Sequence, residues 1–219
     1  MVSHAKAVSL KISEIFFSLQ GETSRAGLPT VFVRLTGCPL RCVWCDTEYA
    51  FSGGRTLGLP EILAEVAQYG ARWVCVTGGE PLAQKACLPL LSALCDAGHD
   101  VSLETSGALD IAGVDPRVSR IVDLKAPGSG ELAKNRWENL ALLNARDELK
   151  FVLKDRADYE WARETVHAHR LATRCPLLFA PVQGDLPATT LADWILADRL
   201  PVRFQVQLHK LLWGNAQGK

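Results

Sequence analysis

Short apolar runs typical of strands alternate with helix-period segments along most of this chain, and that alternation restricts the fold strongly. Seven runs rich in β-branched and aromatic residues predict strands at 31–36, 73–77, 101–105, 120–124, 149–153, 177–180 and 203–208. Five segments with helical periodicity lie between them, at 60–69, 83–97, 136–144, 157–171 and 189–199. Such alternation is typical of parallel strands joined by crossover helices, so we predict an α/β fold.

The length of the chain limits how far this fold can extend. A complete eightfold β/α barrel typically takes about 250 residues, whereas this chain has 219. We therefore predict a partial, incomplete TIM-like β/α barrel. No low-complexity segment, repeat or linker divides the sequence, so we expect residues 1–219 to form a single domain.

Charge and hydropathy argue against two classes of partner. The 24 Lys and Arg residues balance the 24 Asp and Glu residues without a basic run, which gives no electrostatic reason to expect nucleic acid. No apolar stretch approaches the roughly 20 residues of a membrane span, and residues 1–9 lack the apolar run of a signal peptide. We expect a cytoplasmic protein that binds neither nucleic acid nor membrane.

Polar motifs follow several predicted strands at their C-terminal ends, where parallel α/β sheets bind ligands. Thr77 begins a Thr-Gly-Gly-Glu-Pro turn, Glu104 and Asp123 lie at the ends of two further strands, and Cys38 closely follows another. Because these strand ends meet at one edge of the sheet, we predict the active site there.

Three cysteines, Cys38, Cys42 and Cys45, have the spacing Cys-x3-Cys-x2-Cys. A structural zinc site takes four protein ligands, commonly in Cys-x2-Cys pairs. Three closely spaced thiolates suit a [4Fe–4S] cluster with one iron free of protein ligands, although a zinc knuckle completed by a distant His or Cys is the alternative. The remaining cysteines are predicted to be buried small hydrophobes: Cys75, Cys87, Cys95 and Cys175.

Together, the cysteine motif and the Gly-Gly-Glu turn at 78–80 resemble the radical S-adenosylmethionine superfamily. Two glycines after a strand allow a close approach of the backbone to a ligand. The resemblance implies a partial barrel of the radical S-adenosylmethionine type. It also implies a cluster held by the three cysteines, and S-adenosylmethionine bound at the open iron with Gly79 beside its amino group.

The stretch Leu-Gln-Gly-Glu at 19–22 is similar to a signature of the 7-carboxy-7-deazaguanine synthase family, and the resemblance extends to Gln-Leu-His-Lys at 207–210. It implies conversion of 6-carboxy-5,6,7,8-tetrahydropterin to 7-carboxy-7-deazaguanine with loss of ammonia, in 7-deazapurine (queuosine-type) biosynthesis. A 5′-deoxyadenosyl radical would take hydrogen from the substrate carbon that bears the carboxylate. The family habit also implies a homodimer and an electron donor such as a flavodoxin or ferredoxin.

Site residues follow from the same resemblance, position by position. Substrate contacts are implied for Leu19, Gln20, Gly21, Glu22, Arg34, Thr77, Glu104 and His209. Cofactor contacts are implied for Trp44, Cys45, Asp46, Gly79, Asp123, Leu124, Lys125, Ala180, Pro181, Val182 and Gln183. Thr47, two positions after the last cluster cysteine, is implied as a ligand of Mg²⁺, an ion that usually takes few protein ligands. No side chain is assigned as a catalytic acid, base or nucleophile.

Two departures from the family pattern and several alternatives accompany these assignments. Thr23 stands where the family usually has Gly, and Asp-Leu-Lys at 123–125 replaces a frequent Ser-Pro-Lys. Arg34 could instead be the partner in a structural ion pair, and Glu104 could cap a helix. His209 could be a core histidine, and Thr47 could be an ordinary polar residue of a loop.

At the level of function, the alternatives are a glycyl-radical-enzyme activase, which shares the cysteine and Gly-Gly-Glu motifs, and a non-catalytic electron carrier or zinc-binding module.

Overall fold

The computed structural model describes residues 8–219, in which strands form one sheet and helices pack on it. The strands are β1 (Ser9–Leu19), β2 (Pro29–Leu35), β3 (Arg55–Gly58), β4 (Trp73–Gly78), β5 (Asp100–Thr105), β6 (Ser119–Asp123), β7 (Glu148–Leu153), β8 (Leu177–Pro181) and β9 (Arg203–Phe204). The helices are α1 (Leu59–Ala67), α2 (Cys87–Asp96), α3 (Arg156–Ala168), α4 (Ala188–Asp198) and α5 (Leu208–Trp213). The expectation for residues 1–9 lies largely outside the described residues.

Strand order leaves the sheet open. Across residues 8–219 the order is β3-β1-β2-β4-β5-β6-β7-β8-β9, so β3 and β9 form separate edges. β1 is antiparallel to both of its neighbours, and every neighbouring pair from β2 to β9 is parallel. The predicted α/β fold and partial, open barrel are confirmed. In the described part of the chain, no helix has the length and apolarity needed to cross a membrane.

The two faces of the sheet carry different side chains, because successive residues of a strand point to opposite faces. The first face packs against the helices and contributes apolar side chains to the core, among them Val33, Val76, Leu103, Phe151 and Phe179. The second face presents polar and charged side chains at the alternate positions, among them Arg34, Thr77, Glu104, Asp123 and Lys150. The second face is therefore the one that can bind a polar ligand.

β1 is missing from the sequence prediction, and a β-bulge explains why. The pairing of β1 with β2 shifts register between Ile12 and Glu14. Ile12 and Ile15, three positions apart, consequently both pack in the apolar core, whereas Phe16 lines the opposite side. A bulge inserts an extra residue and breaks the alternation of period two on which recognition of a strand depends.

Six of the predicted strands and four of the predicted helices are present with shifted ends. The predictions for residues 136–144 and 203–208 are wrong in the type or the length of the element. Residues 136–144 contain a 3-10 turn at Trp137–Leu142 instead of an α-helix. Inside it, the buried Asn139 amide donates to the Gly107 and Leu109 carbonyls at 3.1 and 2.8 Å, which ties the segment to a neighbouring loop. The predicted strand at 203–208 shortens to β9, because Leu208 begins α5 and donates its N–H to the Gly21 carbonyl at 2.9 Å.

Candidate active site

A cavity of about 620 Å³ opens at the C-terminal ends of the parallel strands, a size typical of small-molecule sites. Most of the predicted site residues line it. The predicted substrate contacts that line the cavity are Leu19, Gln20, Gly21, Glu22, Arg34, Thr77, Glu104 and His209. The predicted cofactor and metal contacts that line it are Cys38, Cys42, Trp44, Cys45, Asp46, Thr47, Gly79, Asp123, Lys125, Val182 and Gln183.

Three predicted cofactor contacts, Leu124, Ala180 and Pro181, do not line this cavity. Leu124 lies between two cavity-facing residues, so its side chain points into the apolar core. Ala180 and Pro181 lie within β8, in which every residue is buried. Leu124 also lines a small adjacent pocket together with Trp44, Asp123 and Lys125. Cofactor contacts at these three positions therefore stay predictions.

The cysteine loop, residues 37–47, begins directly after β2. It is held at its start, where the Gly37 N–H donates to the Ala50 carbonyl at 2.8 Å, and near its middle, where the Val43 N–H donates to the Ser129 carbonyl at 3.1 Å. Cys38, Cys42 and Cys45 all line the cavity, and none of the other four cysteines does. A cluster ligated by these three thiolates would keep one iron available to a further ligand.

The donor set fits an iron–sulfur cluster better than a single metal ion. Within residues 8–219, no three His, Cys, Asp or Glu side chains are gathered where one ion could bind them together. A [4Fe–4S] cluster makes no such demand, since each thiolate binds a separate iron. Burial raises the pKa of both Cys38 and Cys42, while Lys125 opposes that effect. The free thiols therefore hold their protons, which ligation must displace.

Gly79 has to be glycine because the turn after β4 packs directly on the cysteine loop. A Cβ atom at Gly79 would overlap the Gly37 carbonyl oxygen and lie 2.7 Å from the Cβ of Cys38. The adjacent Glu80 is fully buried, and its carboxylate accepts hydrogen bonds from the Thr105 hydroxyl at 2.9 Å and the Ser106 N–H at 2.7 Å. Glu80 thus joins the end of β4 to the end of β5 and brings two strand ends of the site into register.

Polar side chains from β4, β5 and the turn that follows β1 meet in the part of the cavity predicted to bind substrate. The Gln20 amide donates to Glu104 Oε1 at 3.1 Å, and the Thr77 hydroxyl donates to Glu104 Oε2 at 3.1 Å. A Cβ atom at Gly21 would overlap the ring of His209, so the glycine makes room for this histidine at the cavity wall. Glu104 is therefore not a helix cap, and His209, which is only half-buried, is not a core histidine.

Arg34 has both a structural partner and a place in the cavity. Its Nε donates to Glu14 Oε1 at 2.7 Å, and the Tyr49 hydroxyl donates to the same oxygen at 2.8 Å. The guanidinium also lies over the rings of Phe16 and Tyr49, at 5.7 and 5.8 Å from their centroids. Although burial lowers the pKa of Arg34, Tyr49 and Glu14 raise it overall. The structural ion pair that was the alternative role of Arg34 is therefore present, and it holds the charged guanidinium at the cavity wall.

A chain of charged and amide side chains joins the two ends of the cavity. Among its members, the sequence interpretation assigned no role to Lys150, Gln207 and Lys210. Lys150 Nζ lies 2.6 Å from Glu22 Oε2 and 3.3 Å from Asp123 Oδ1. Gln207 Nε2 donates to Glu22 Oε1 at 2.7 Å, and Lys210 Nζ lies 3.0 Å from Asp46 Oδ2. A lone lysine within the apolar run of β7 was the available signal, because an isolated buried cation needs partners.

Both departures from the family pattern have a structural explanation. Thr23 has φ of +69°, in the left-handed region that favours glycine, and its hydroxyl offsets part of the cost by accepting from the Arg25 N–H at 3.1 Å. Asp123 lies 2.6 Å from Lys125 Nζ and also contacts Lys150. Although burial raises the pKa of Asp123, these two cations lower it overall. The additional negative charge is therefore compensated within the site.

Thr47 lies next to a carboxylate at the mouth of the cavity. Its hydroxyl donates to Asp46 Oδ1 at 2.9 Å, so two hard oxygen atoms stand side by side. Burial alone would raise the pKa of Asp46, but Lys210 and Thr47 hold it below its usual range. The carboxylate is thus ionised at neutral pH beside the Thr47 hydroxyl.

Comparison with known proteins identifies the family of the chain. The model of the radical SAM superfamily matches residues 32–170. A 7-carboxy-7-deazaguanine synthase of Chlorobaculum tepidum is 49% identical over 213 residues, covering 95% of this chain and 97% of its own. The enzyme of the same name from Koribacter versatilis is 45% identical over 219 residues, covering 93% and 97%.

Solved structures agree with the fold. The crystal structure of QueE from Escherichia coli superimposes with a TM-score of 0.76 at 25% identity, covering 92% of this chain and 95% of that one. Streptococcus suis SuiB bound to S-adenosylmethionine shares the fold, with a TM-score of 0.56 at 15% identity, covering 78% and 45%. Because the superfamily model spans more than half of the chain and two relatives match along nearly their whole length, this chain belongs to the 7-carboxy-7-deazaguanine synthase family of the radical SAM superfamily.

Proposed function

We propose that this chain is a carbon–nitrogen lyase that converts 6-carboxy-5,6,7,8-tetrahydropterin to 7-carboxy-7-deazaguanine with loss of ammonia, in a queuosine-type 7-deazapurine pathway. The observation that carries the proposal is the set of residues that line the cavity described above. Its cysteine loop lies on one wall, and hydrogen-bonding groups suited to a pterin carboxylate lie on another. The relatives named above favour this synthase over a glycyl-radical-enzyme activase or a non-catalytic carrier.

The substrate end of the cavity matches the functional groups of the pterin. Arg34 offers its two Nη groups to a carboxylate, since within residues 8–219 only its Nε has a protein acceptor. Gln20 and Glu104 together present donors and acceptors to the polar edge of the ring. Glu22 and His209 supply further polar contacts at the same end. These residues bind and orient the substrate, and none is required as an acid or base.

The cofactor end of the cavity is formed by the cysteine loop and the strand ends beside it. As a radical SAM enzyme the protein uses a [4Fe–4S] cluster and S-adenosylmethionine, which together supply the radical that abstracts hydrogen from the substrate. Trp44, Gly79 and Lys125 would surround the cofactor, with Gly79 allowing close backbone approach. The walls of the cavity then shield the reacting atoms from water.

Thr47 would ligate Mg²⁺, with substrate oxygens and water completing the shell. Its hydroxyl lies beside the ionised Asp46 carboxylate, which favours a cation at this point. Thr47→Val keeps the shape but removes the oxygen. We expect it to blunt the stimulation of turnover by Mg²⁺, with cluster content and slow uncoupled cofactor cleavage retained.

The control for the Mg²⁺ experiment is Thr56→Val on the exposed edge strand β3, which should respond to Mg²⁺ as the wild type does. Product formation with and without Mg²⁺ measures the response in each protein. Equal stimulation of the Thr47→Val variant and the wild type would remove Thr47 as the ligand.

The cellular setting follows from the same chemistry. We infer a cytoplasmic, single-domain enzyme that acts as a homodimer and takes its electron from a small donor such as a flavodoxin or ferredoxin. All seven cysteines are free thiols, which suits a reducing compartment. The net charge of zero supports no nucleic-acid or membrane partner.

The proposed function is tested by anaerobic turnover of the reconstituted enzyme. With reductant, S-adenosylmethionine and 6-carboxy-5,6,7,8-tetrahydropterin, we expect one ammonia for each 7-carboxy-7-deazaguanine formed. Cofactor cleavage that leaves the pterin unconsumed would contradict the assignment and retain only membership of the superfamily.

A further inference from the structure

Lys150 is a buried cation for which neither the motifs nor the resemblance suggests a role. It lies on β7 with 8% of its surface exposed, and its side chain points into the cavity. Removing an ammonium group from water is costly unless anions surround it. Although burial alone lowers the pKa of Lys150, Asp123 and Glu22 hold it well above its usual value. The group is therefore fully charged where it contacts both carboxylates.

The two carboxylates that Lys150 contacts lie at different ends of the cavity. Glu22, 2.6 Å away, belongs to the Leu-Gln-Gly-Glu stretch at the substrate end. Asp123, 3.3 Å away, ends β6 beside the cofactor end. Lys150 thus stands between a group that we place on the substrate and a group that we place on the cofactor.

The two carboxylates depend on Lys150 to different degrees. Asp123 has a second cation, because Lys125 Nζ lies 2.6 Å from its other oxygen. Glu22 has no second cation among its described partners: its other oxygen accepts from the neutral Gln207 amide at 2.7 Å. Although burial raises the pKa of Glu22, Lys150 and Gln207 lower it overall. Loss of Lys150 would therefore affect Glu22 much more than Asp123.

We propose that Lys150 is a positioning residue that holds the Glu22 carboxylate in the orientation required to accept hydrogen bonds from the N–H groups of the pterin ring. This assignment rests on the proposed function. Lys150 acts through Glu22, while Asp123 at the cofactor end is held independently by Lys125. Substrate binding and cofactor binding therefore respond differently to the loss of one lysine.

The test is a cycle of variants titrated anaerobically as the cluster-loaded protein, without reductant so that no turnover occurs. Lys150→Met should weaken binding of 6-carboxy-5,6,7,8-tetrahydropterin by about 10- to 100-fold, the effect typical of losing a charge-assisted contact. Binding of S-adenosylmethionine should change by less than about 3-fold, because Asp123 keeps Lys125. Lys85→Met, on the exposed surface, is the matched control and should bind both ligands normally.

Glu22→Gln and the double variant Lys150→Met/Glu22→Gln complete the cycle. If Lys150 acts through Glu22, the double variant binds the pterin no more weakly than Glu22→Gln does, so the two losses are not additive. This comparison remains valid if Lys150→Met alone is too unstable, since the double variant restores charge balance.

Additive losses, or equal weakening of pterin and cofactor binding by Lys150→Met, would overturn the assignment. A wild-type protein that binds no pterin would overturn the proposed function, and this assignment with it. Normal wild-type binding combined with additive losses would overturn the role of Lys150 alone.

Discussion

On β7, Phe151 and Val152 are neighbours in sequence but belong to opposite faces of the sheet. Phe151 is fully buried against Phe179 and Trp161, with ring centroids 5.1 and 6.1 Å away, whereas Val152 lines the cavity. The same contrast recurs along the parallel strands: an apolar core on one face, and on the other a set of charges compensated in pairs. The core face provides stability, and the cavity face provides chemistry.

The two faces differ in the interactions that hold their side chains in position. Apolar packing depends on shape and area and tolerates similar side chains. The cavity face depends on specific partners that come from distant parts of the sequence, such as Glu22 and Lys150, 128 positions apart. Loss of Lys150, for example, leaves the Glu22 carboxylate without its cation, which is costly for a buried charge.

The largest effect on the cavity face is expected at the cysteine loop. Cys42→Ala removes one of three cluster ligands, so S-adenosylmethionine cleavage should fall to background and the reconstituted protein should lose its brown colour. The wild type should contain about four irons and be sensitive to oxygen. Iron content and 5′-deoxyadenosine release measure both properties.

Cys87→Ala is the matched control, since this thiol is buried in the apolar core at the start of α2. It should retain both the cluster and cofactor cleavage. Loss of cleavage in Cys87→Ala, or a colourless wild-type protein carrying one zinc, would contradict the assignment of the cluster ligands.

The largest effect on the core face is expected at Phe151. Phe151→Ala should lower the free energy of unfolding by about 3–5 kcal/mol, because it removes a large buried ring and leaves a cavity. The folded fraction should bind the pterin with unchanged affinity. Denaturant unfolding and equilibrium titration separate the two properties.

Val152→Ala on the opposite face of the same strand is the comparison for Phe151→Ala. Its effect on stability should be the smaller of the two, because Val152 is only partly buried. A greater loss of stability in Val152→Ala than in Phe151→Ala would contradict the division between the faces.

Arg34 should give the next largest effect. Arg34→Ala removes a charge-assisted contact worth about 1.5–3 kcal/mol, so pterin binding should weaken roughly 10- to 100-fold with normal cluster content. Arg72 provides a surface match: its Nε donates to Asp100 at 2.7 Å and its guanidinium lies over the ring of Trp73. Arg72→Ala should leave pterin affinity unchanged. Unchanged pterin affinity in Arg34→Ala would show that Arg34 has only a structural role, in its ion pair with Glu14.

Thr23 should give the smallest effect. Its left-handed backbone costs a residue other than glycine about 1–2 kcal/mol, and its hydroxyl recovers part of that through Arg25. Both Thr23→Ala and Thr23→Gly lose the hydrogen bond, but only Thr23→Ala keeps the strain. Thr23→Ala should therefore be less stable than Thr23→Gly by about 1 kcal/mol. Thermal unfolding of the two variants is the measurement, and an equal or reversed order would show that the backbone at Thr23 is not strained.

The core face is what the sequence predicts well. Apolar runs such as residues 73–77 and 101–105 identify strands because burial is a local property of alternating residues, and β4 and β5 occupy those positions. The prediction of secondary structure fails where contacts with distant residues override the local hydrophobic pattern. The bulge in β1 moves Ile15 out of step with Ile12, and residues 136–144 have a helical period in a segment that Asn139 ties to a loop.

The cavity face is predictable only where a motif marks it. The cysteine spacing and the Gly-Gly-Glu turn identify the site, and the structure brings those residues to one cavity. Lys150 belongs to no motif, and Gln207 lies in a matched stretch without an assigned role. Their partner Glu22 is more than a hundred positions away from both. Leu124 shows the opposite situation, because the resemblance covers a contiguous stretch although alternate residues point to opposite faces. Its side chain packs in the apolar core, and its contact with the cofactor stays a prediction.

The most direct test of the whole arrangement is the fate of one hydrogen atom. The pterin would be labelled with deuterium at the carbon that bears the carboxylate, and 5′-deoxyadenosine would be isolated after anaerobic turnover. If the cavity holds that carbon toward the cofactor, the 5′-deoxyadenosine contains deuterium while 7-carboxy-7-deazaguanine forms. Product that forms together with unlabelled 5′-deoxyadenosine would contradict this placement of substrate and cofactor.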